Sequence, residues 1–571
     1  MSSEDTRSPA RWAELFPGRS FGKASIWLLL ALVVGAGVAT RFLVPTGLTQ
    51  RGPIVWVVSN LTRVPQQGPP GKSTRIELWA ARGEYEPLQV GIQAPAGGLT
   101  KVNVAITDLT GPDNRVISRS DVTLYREHYI FVDVPSPARG SNRPRGRGWY
   151  PDGLIPFADS AAGTSLPNAT LRAVPFDLPA GRNQPIWLDL YVPRDARPGD
   201  YRGNLTVTSE QGQSSVQIVL HVWNFELPSR PSLQSAFGIY NDTESERKIF
   251  YADDPANQEL LLRHRLMPTF VTPAYERAFI DRLGLNIAAV GYFDHATYGN
   301  CRQPPAPSVA EFQARKAQHQ PDLRVYVYLA DEVTECEEIF PTLKEWARNA
   351  HAAGILRLIT AVPLPALLDD GSGSGRSVAD TWVLLPKQFV SNPEGIAAAR
   401  RKGDTLWSYT ASVQDDFSPK WQVDFDPINY RILGGFLNQS MGLQGLLYWA
   451  VNSWAINPTR DPWNNLKYVE NGRTYGAGEG WLVYPGQAVG IGGFAPSMRL
   501  KWIRESVEDY EYIEILKRHG RGEWALEVAR RVAPNWKDWT RDAGAIESAR
   551  RQLGEEIERL LAQSSGPAQR R

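Results

Sequence analysis

The sequence predicts an α/β protein, in which a β-sandwich is followed by a (β/α)8 barrel and by C-terminal helices. The 571 residues are too many for one hydrophobic core. Short alternating strands fill the first part of the chain, and apolar strands alternate with helical stretches in the second part. The boundaries that we expect are 52–230 for the sandwich, 231–496 for the barrel and 497–571 for the C-terminal helices.

Alternating apolar residues mark the strands of the predicted sandwich. Residues 186–192 and 216–222 each place every second side chain on one apolar face. This period of two is typical of half-buried strands. Short strands that recur at regular spacing favour two packed sheets.

Eight continuous apolar runs are predicted as the parallel strands of the barrel, since such strands are buried on both faces. They are Leu233–Tyr240, Met267–Thr272, Asn286–Phe293, Arg324–Ala330, Arg357–Val362, Asp380–Leu385, Thr405–Ala411 and Gly445–Asn452. The helices predicted between them are Gln258–Arg265, Tyr275–Leu283, Val309–His319, Glu337–Ala353 and Ile428–Met441. The fifth crossover is rich in Gly and Ser and has no predicted helix. Eight alternating units indicate a (β/α)8 barrel, and helices after residue 497 are expected to cover its side or base.

The N-terminal region predicts export. Residues 1–23 are polar and include basic side chains, whereas 24–44 are almost entirely apolar. This pattern favours a transmembrane signal anchor with a cytoplasmic N-terminus, and a cleaved signal peptide is the alternative. In both cases the remaining domains are expected outside the cytoplasm, either anchored to the membrane or secreted.

The composition limits which molecules we expect the protein to bind. The net charge of +1 provides no broad field that would attract nucleic acid.

The two cysteines, Cys301 and Cys336, lack the spacing of a zinc site, and we expect no metal and no cofactor. They follow predicted strands, so either a disulfide or two free thiols fit the sequence. The oligomeric state is left open.

The dipeptide Asp331-Glu332 is the candidate catalytic pair, because it ends the fourth strand of the predicted barrel. Barrels carry their chemistry at the carboxyl ends of the strands. One carboxyl can hold a proton while its neighbour stays ionised, which suits cleavage of a glycosidic bond. The alternative is structural: Asp331 caps the next helix and Glu332 is an acid of its first turn.

A second carboxylate, which a conventional glycosidase needs, is missing from the end of the seventh strand. Asp415 and Asp416 follow a few residues later and are one source. The other source is the substrate, because a 2-acetamido sugar can use its own amide oxygen as the nucleophile. Glu332 would then protonate the leaving oxygen and activate water, while Asp331 would orient the acetamido N–H and balance the positive charge.

Aromatic and amide side chains at the other strand ends are the candidate sugar-binding residues. For each ring, packing in the barrel core is the alternative. These candidates are Tyr240, Asn241, Tyr292, Trp407, Tyr409, Trp449, Asn452 and Trp454.

Several motifs resemble glycoside hydrolase family 123. Those of its C-terminal part are Asn452-Ser-Trp454, Asp461-Pro-Trp463, 478–486, 496–500 and 504–512, and those of its N-terminal part are 83–89 and 150–156. The resemblance implies a β-sandwich, a (β/α)8 barrel and exo-acting β-N-acetylgalactosaminidase chemistry with substrate assistance. It also implies the two catalytic roles for Asp331 and Glu332, and support of the acetamido group by Tyr409.

Two other functions remain open at this point. One is a glycosidase of the same fold that acts on a sugar without an acetamido group and uses Asp415 or Asp416. The other is a surface protein that binds a glycan or glycoconjugate without cleaving it. The acidic stretch 504–512 is predicted to be structural, because it lies outside the strand ends.

Overall fold

The computed structural model of the chain describes residues 51–159, 163–240, 254–291, 295–456, 461–470 and 473–564. The predicted membrane anchor or signal peptide, 24–44, lies outside these ranges, as do Asn241 and Tyr292. Within the described ranges, no helix combines the length and the apolar character that crossing a membrane requires.

Two facing β-sheets form the first part of the fold. Their strands are β1 (Ile54–Val58), β2 (Arg75–Arg82), β3 (Tyr85–Gln93), β4 (Leu99–Ile106), β5 (Leu109–Thr110), β6 (Val116–Ile117), β7 (Val122–Val132), β8 (Gly148–Asp159), β9 (Thr164–Ser165), β10 (Phe176–Leu178), β11 (Asn183–Tyr191), β12 (Gly199–Ser209) and β13 (Gly212–Glu226). The first sheet has the order β1-β3-β11-β7-β8-β9. The second has the order β10-β4-β12-β13-β2, with β5 and β6 beside β12.

Alternating side chains from the two sheets meet in one core. Val90 and Leu188 of the first sheet and Val207 and Leu220 of the second are completely buried in it. The strands predicted at 186–192 and 216–222 are therefore confirmed as parts of β11 and β13. The period of two places one face of each strand in this core.

Seven parallel strands form the barrel sheet. They are β14 (Gln234–Phe237), β15 (Ile287–Ala289), β16 (Arg324–Asp331), β17 (Leu356–Thr360), β18 (Thr381–Leu384), β19 (Thr405–Tyr409) and β20 (Gly445–Tyr448), in the order β14-β20-β19-β18-β17-β16-β15. Except for β16, they end earlier than the apolar runs predicted. Most residues just beyond the strands are buried as well, so hydrophobicity alone overestimates strand length.

The predicted second strand, 267–272, is not a regular strand, but it fills the gap between β14 and β15. The Thr269 N–H donates to the Phe237 carbonyl at 2.9 Å, and the Ala289 N–H donates to the Thr269 carbonyl at 2.9 Å. Pro268 pairs with Phe237 only as an isolated bridge, and proline has no N–H to extend the ladder. The sheet is therefore a nearly closed barrel.

Helices cover the outside of this sheet. They are α1 (Pro255–Arg263), α2 (Pro273–Leu283), α3 (Val309–Lys316), α4 (Phe340–Ala352), α5 (Pro386–Ser391), α6 (Pro393–Lys402), α7 (Ile428–Ile432) and α8 (Asn438–Ser440), the last two joined by a π-helical turn at Leu433–Leu437. Two short hairpins follow, β21 (Lys467–Glu470) with β22 (Arg473–Ala477) and β23 (Val483–Pro485) with β24 (Phe494–Pro496). The crossover 361–380 contains no helix, as predicted.

Three C-terminal helices complete the fold: α9 (Met498–Arg518), α10 (Gly522–Val532) and α11 (Ala543–Ser564). They were expected on the side or base of the barrel, but α9 is buried almost all round, between α7 and strands β3 and β8. Its arginines pair with the first sheet. Arg499 meets Asp152 of β8 at 2.8 Å, and Arg504 meets Asp189 of β11 at 2.6 Å. Helix α9 thus lies between the first sheet and the barrel and contacts both.

Candidate active site

Asp331 and Glu332 lie at the carboxyl end of β16, where the backbone departs from regular strand geometry. The pairing of β16 with β17 shifts register between Tyr328 and Asp331. Glu332 follows with φ = 53°, in the left-handed region that a residue with a Cβ rarely adopts. Regular alternation would direct the two carboxylates to opposite faces of the sheet. The register shift and the left-handed residue interrupt this alternation.

Thr360, at the end of β17, connects the two acids. Its hydroxyl donates to Asp331 Oδ1 at 2.6 Å and accepts the Glu332 backbone N–H at 3.0 Å. The Tyr328 hydroxyl also donates to Asp331 Oδ1, at 2.7 Å. Neither residue was predicted, although both lie on predicted strands and carry hydroxyl groups close to a strand end. Their bonds fix Asp331 through one oxygen, and Oδ2 accepts no hydrogen bond from the described residues.

Glu332 is in an environment that favours its protonated form. Burial raises the pKa of Glu332, and the negative charge of Asp331 adds to this effect. The Tyr409 hydroxyl, which donates to Glu332 Oε1, and the charge of Lys387 oppose the rise in its pKa. The pKa nevertheless lies above its ordinary value, as a carboxyl that donates a proton near neutrality requires.

The helix-capping alternative for the pair is wrong. The next helical turn begins only at Glu337, with Cys336 as its N-cap residue, and α4 begins at Phe340. Asp331 and Glu332 therefore lie too far from a helix N-terminus to cap it or to occupy its first turn. Their carboxylates instead lie within the hydrogen-bond network of Thr360, Tyr328 and Tyr409.

Asp415, one alternative source of the second carboxylate, is held in a structural ion pair. It is 7% exposed, and its Oδ1 accepts from Lys420 Nζ at 2.6 Å and from the Ser418 N–H at 2.7 Å. Asp416 is exposed and lies against the backbone of Gly140. In the part of the chain that the structure describes, neither aspartate has a contact with Asp331 or Glu332.

Tyr409, Tyr240 and Trp449 are brought to the same end of the barrel as the acid pair. The Tyr409 hydroxyl donates a hydrogen bond to Glu332, as described above. The rings of Tyr240 and Trp449 meet edge to face, with centroids 5.9 Å apart, just beyond β14 and β20. Trp449 is half-buried, so part of its ring surface remains exposed to a ligand.

Three other predicted sugar-binding residues are in structural positions. Trp407 is completely buried in the barrel, beside Gly445, where no sugar can reach it. The Asn452 side chain bonds both the N–H and the carbonyl of Tyr240, each at 2.8 Å, so it holds a backbone segment. The Trp454 indole donates to the Val483 carbonyl at 3.0 Å and packs edge-on to Phe494. In this structure Trp407 is buried and the Asn452 side chain is bonded to backbone, so their sugar-binding roles stay predictions that these positions do not favour.

Cys301 and Cys336 form a disulfide between the loops that follow β15 and β16. The same loops are joined next to the acid pair by the Asp331 N–H, which donates to the Ala296 carbonyl at 2.9 Å. The disulfide therefore braces the loop in which Glu332 lies.

Removal of this disulfide is expected to loosen the acid pair. In the chain-entropy view, a bridge that spans 35 residues stabilises a protein by about 4 kcal/mol. We expect Cys301→Ser/Cys336→Ser to lower the midpoint of urea unfolding and to reduce kcat/KM. Wild-type protein with a reducing agent should behave in the same way. An unchanged unfolding midpoint in the double variant would contradict this role.

A cavity of about 440 Å³ lies at the opposite end of the barrel. It is lined by residues that begin strands, among them Gln234, Arg324 and Thr405, and by Glu514 and Lys517 of α9. Barrel enzymes place their chemistry at the carboxyl ends of the strands. This cavity is therefore not the candidate active site.

Comparison with known proteins agrees with the fold and identifies the family. Two family profiles match the chain: "Glycoside hydrolase 123, catalytic domain" over 318–516 and "Glycoside hydrolase 123 N-terminal domain" over 62–209. Together they match more than half of the chain, and the catalytic match includes Asp331 and Glu332. A sequence search among curated proteins finds no significant match.

Among solved structures, a family 123 glycoside hydrolase from Clostridium perfringens, described in connection with glycolipid glycan hydrolysis, has a similar fold. Its TM-score is 0.63 at 13% identity, covering 90% of this chain and 98% of that chain. A β-glucuronidase from Parabacteroides merdae matches with a TM-score of only 0.27 at 10% identity, over 75% of this chain and 49% of that chain. The chain is a glycoside hydrolase and belongs to glycoside hydrolase family 123.

Proposed function

We propose that this enzyme cleaves terminal 2-acetamido-2-deoxy sugars, with β-N-acetylgalactosaminides as the expected class, by a substrate-assisted mechanism that retains configuration. The observation that carries the proposal is that the two carboxyl groups at the end of β16 lie in different environments. Glu332 has a raised pKa, while the adjacent Asp331 is held by two hydroxyl donors. No other described carboxylate contacts the pair, so the acetamido oxygen is the nucleophile that we assign.

In the first step, the acetamido oxygen attacks the anomeric carbon and the bond to the leaving oxygen breaks. Glu332 donates its proton to that oxygen, so the leaving group departs as a neutral alcohol. An oxazolinium ion forms on the sugar. Its positive charge and its N–H face an Asp331 carboxylate that Tyr328 and Thr360 hold through Oδ1, which leaves Oδ2 for the N–H.

In the second step, water attacks the anomeric carbon from the face that the leaving group vacated. The Glu332 carboxylate takes a proton from this water, and the oxazolinium ring opens to restore the acetamido group. Two displacements at one carbon retain its configuration. Tyr409 bonds Glu332 in the structure, and the predicted support of the acetamido carbonyl by the same hydroxyl requires it to change partner during the cycle.

The mechanism is tested with two aryl glycosides that differ only in the acetamido group. We expect hydrolysis of p-nitrophenyl N-acetyl-β-galactosaminide, inhibition by a thiazoline analogue of the oxazoline, and very slow hydrolysis of p-nitrophenyl β-galactoside. Comparable hydrolysis of both, with loss of activity in Asp416→Asn or Asp415→Asn, would support a conventional second carboxylate instead. Glycan binding without turnover, unaffected by Glu332→Gln, would support a non-catalytic binding protein.

The natural substrate is proposed to be a glycoconjugate outside the cytoplasm. The Clostridium perfringens relative is described in connection with glycolipid glycan hydrolysis, and the predicted N-terminal signal and the disulfide are typical of exported proteins. A glycan-library screen with linkage analysis of the products identifies the sugar and its aglycone.

The pH profile provides a test of how Glu332 is tuned. The fall of kcat/KM at high pH is expected to report the loss of the Glu332 proton. The Tyr409 hydroxyl lowers the pKa of Glu332, so Tyr409→Phe should raise this pKa and move the basic limb to higher pH. Asp331→Asn removes a charge that raises the same pKa, so the limb should move to lower pH. Tyr275→Phe, on the exposed face of α2, is the control; a basic limb unmoved in both site variants would exclude Glu332 as the acid.

A further inference from the structure

A third carboxylate, Glu479, lies buried at the same end of the barrel as the acid pair. It is 1% exposed and belongs to the segment 478–480, between β22 and β23. Its Oε1 accepts the Trp449 indole N–H at 3.0 Å, and its Oε2 accepts from the Gln422 side-chain amide. The Ser412 backbone N–H is a third donor. Ser412 and Trp449 lie just beyond β19 and β20, so Glu479 joins the loops that extend two neighbouring strands.

Glu479 is not placed to act on a substrate itself. Both of its oxygens are occupied by protein donors, and no surface of its carboxylate is open to a ligand. Burial raises its pKa, while the Trp449, Ser412 and Gln422 hydrogen bonds oppose that rise. A buried carboxylate that accepts several bonds fixes the positions of its donors.

Of the three donors, the Trp449 indole belongs to a predicted sugar-binding residue, and it follows β20, which pairs with the strand that ends at Tyr409. It is half-buried and meets Tyr240 edge-on at 5.9 Å and Tyr468 at 5.6 Å. Its only polar atom is the indole N–H, which Glu479 accepts. The bond fixes the edge of the ring that carries the nitrogen, while apolar packing holds the rest of the ring.

Gly480 provides the space for this arrangement. A Cβ at Gly480 would lie 2.5 Å from the Trp449 ring, and its φ of 70° favours glycine. The segment 478–480 thus acts on Trp449 in two ways: the carboxylate holds the nitrogen of the ring, and the glycine lets the ring lie against the backbone.

We propose that Glu479 is a positioning residue, which fixes the indole of Trp449 as a wall of the sugar-binding subsite. This inference rests on the proposed function, because Trp449 must face the bound acetamido sugar. It assigns a role in substrate binding, and not in proton transfer, to a residue that touches no substrate.

The test uses the affinity of a thiazoline analogue in a double-mutant cycle of Glu479→Leu and Trp449→Phe. Glu479→Leu removes the acceptor, whereas Trp449→Phe keeps an aromatic ring and removes the N–H. We expect each single variant to raise the Kd by about tenfold, and the double variant to do no more than either alone. If Glu479 acts through Trp449, its loss has no further effect once the N–H is gone. KM should rise with Kd, while kcat changes little.

Two controls separate positioning from general stability. Glu479→Gln should keep the Kd within about twofold, because its amide oxygen can still accept the indole N–H. Gln422 Oε1 has no hydrogen-bond partner among the described residues and can turn to accept from the new amide. Glu127→Gln changes an equally buried glutamate within the sandwich and should leave the Kd unchanged.

The possible outcomes are distinct. A double variant about a hundredfold weaker than wild type, or a Glu479→Leu variant with wild-type Kd, overturns this inference alone. Wild-type protein that neither binds the thiazoline analogue nor cleaves the acetamido glycoside overturns the proposed function, and this inference with it. If Glu479→Leu fails to fold, Glu479→Gln and Trp449→Phe are compared instead: normal binding by the first and weakened binding by the second are expected, and equal weakening by both contradicts the inference.

Discussion

Replacement of Glu332 by glutamine is expected to lower kcat/KM for an aryl 2-acetamido glycoside by about 10³-fold, within the range typical of a lost general acid–base. Glutamine can neither donate the proton to the leaving oxygen nor accept one from water. The loss should therefore be larger for substrates with a poor leaving group, which need the proton most. Steady-state kinetics on a series of aryl glycosides of increasing leaving-group pKa measures this dependence.

The protein should remain folded in this variant. The amide oxygen of the introduced glutamine can still accept the Tyr409 hydroxyl, and the Thr360 hydroxyl still accepts the backbone N–H at this position. Asp331→Asn also keeps an oxygen for Tyr328 and Thr360, and it is expected to lose about 10²-fold by losing the charge opposite the oxazolinium. Glu335→Gln, an exposed carboxyl of the same loop, is the matched control and should be unaffected. Near-normal rates in both site variants would contradict the catalytic assignment.

The backbone of Glu332 gives an independent reason to expect function there. A non-glycine residue with positive φ costs on the order of 1 kcal/mol or more, and such residues are concentrated at functional sites. The strain turns the Glu332 side chain relative to Asp331, next to a register shift in the strand.

The sequence could locate the acid pair, but not the way in which its two side chains are arranged. A strand end is visible in the apolar run before Asp331, because burial requires such a run. The register shift and the φ of Glu332 depend on pairing with β17, a neighbour that is close in space and distant in sequence. For the same reason the Thr360 hydroxyl was not predicted, although it lies 2.6 Å from Asp331 Oδ1. The Tyr328 hydroxyl is near in sequence, but its bond to Asp331 requires the register shift between these two residues.

Strand-end aromatic residues were harder to assign, since a ring in the core and a ring in a site have the same sequence signal. Trp407 and Tyr409 lie two residues apart on one face of β19, yet the first is buried beside Gly445 and the second reaches Glu332. What separates them is their depth in the barrel, which depends on where β19 ends. The role of Asn452 was equally hard to assign, because a strand-end amide can bond a backbone, as it does here, as readily as a sugar.

The second large effect is expected on the free energy of unfolding, when the ion pairs between α9 and the first sheet are removed. Asp189 of β11 accepts from Lys501 Nζ at 2.7 Å and from both terminal nitrogens of Arg504, at 2.6 Å and 2.9 Å. All three side chains are buried, and the two cations hold the pKa of Asp189 well below its usual range. An aspartate with a depressed pKa contributes stability above its ordinary pKa, and this contribution is lost as the pH falls through the folded value.

Asp189→Ala is therefore expected to cost about 3–5 kcal/mol, because it removes the hydrogen-bonded carboxylate that two buried cations share. Burial already lowers the pKa of Lys501 to about 8, so this lysine can lose its proton, whereas Arg504 cannot. Adding Arg504→Met to Asp189→Ala should recover part of the loss, since the remaining uncompensated charge is then removed. The surface pair of Arg551 and Glu555 is the control, and Glu555→Gln should change stability by less than about 0.5 kcal/mol. Urea unfolding midpoints measure all four proteins at neutral pH, and an Asp189→Ala midpoint equal to that of Glu555→Gln would show that α9 is held by apolar packing rather than by these charges.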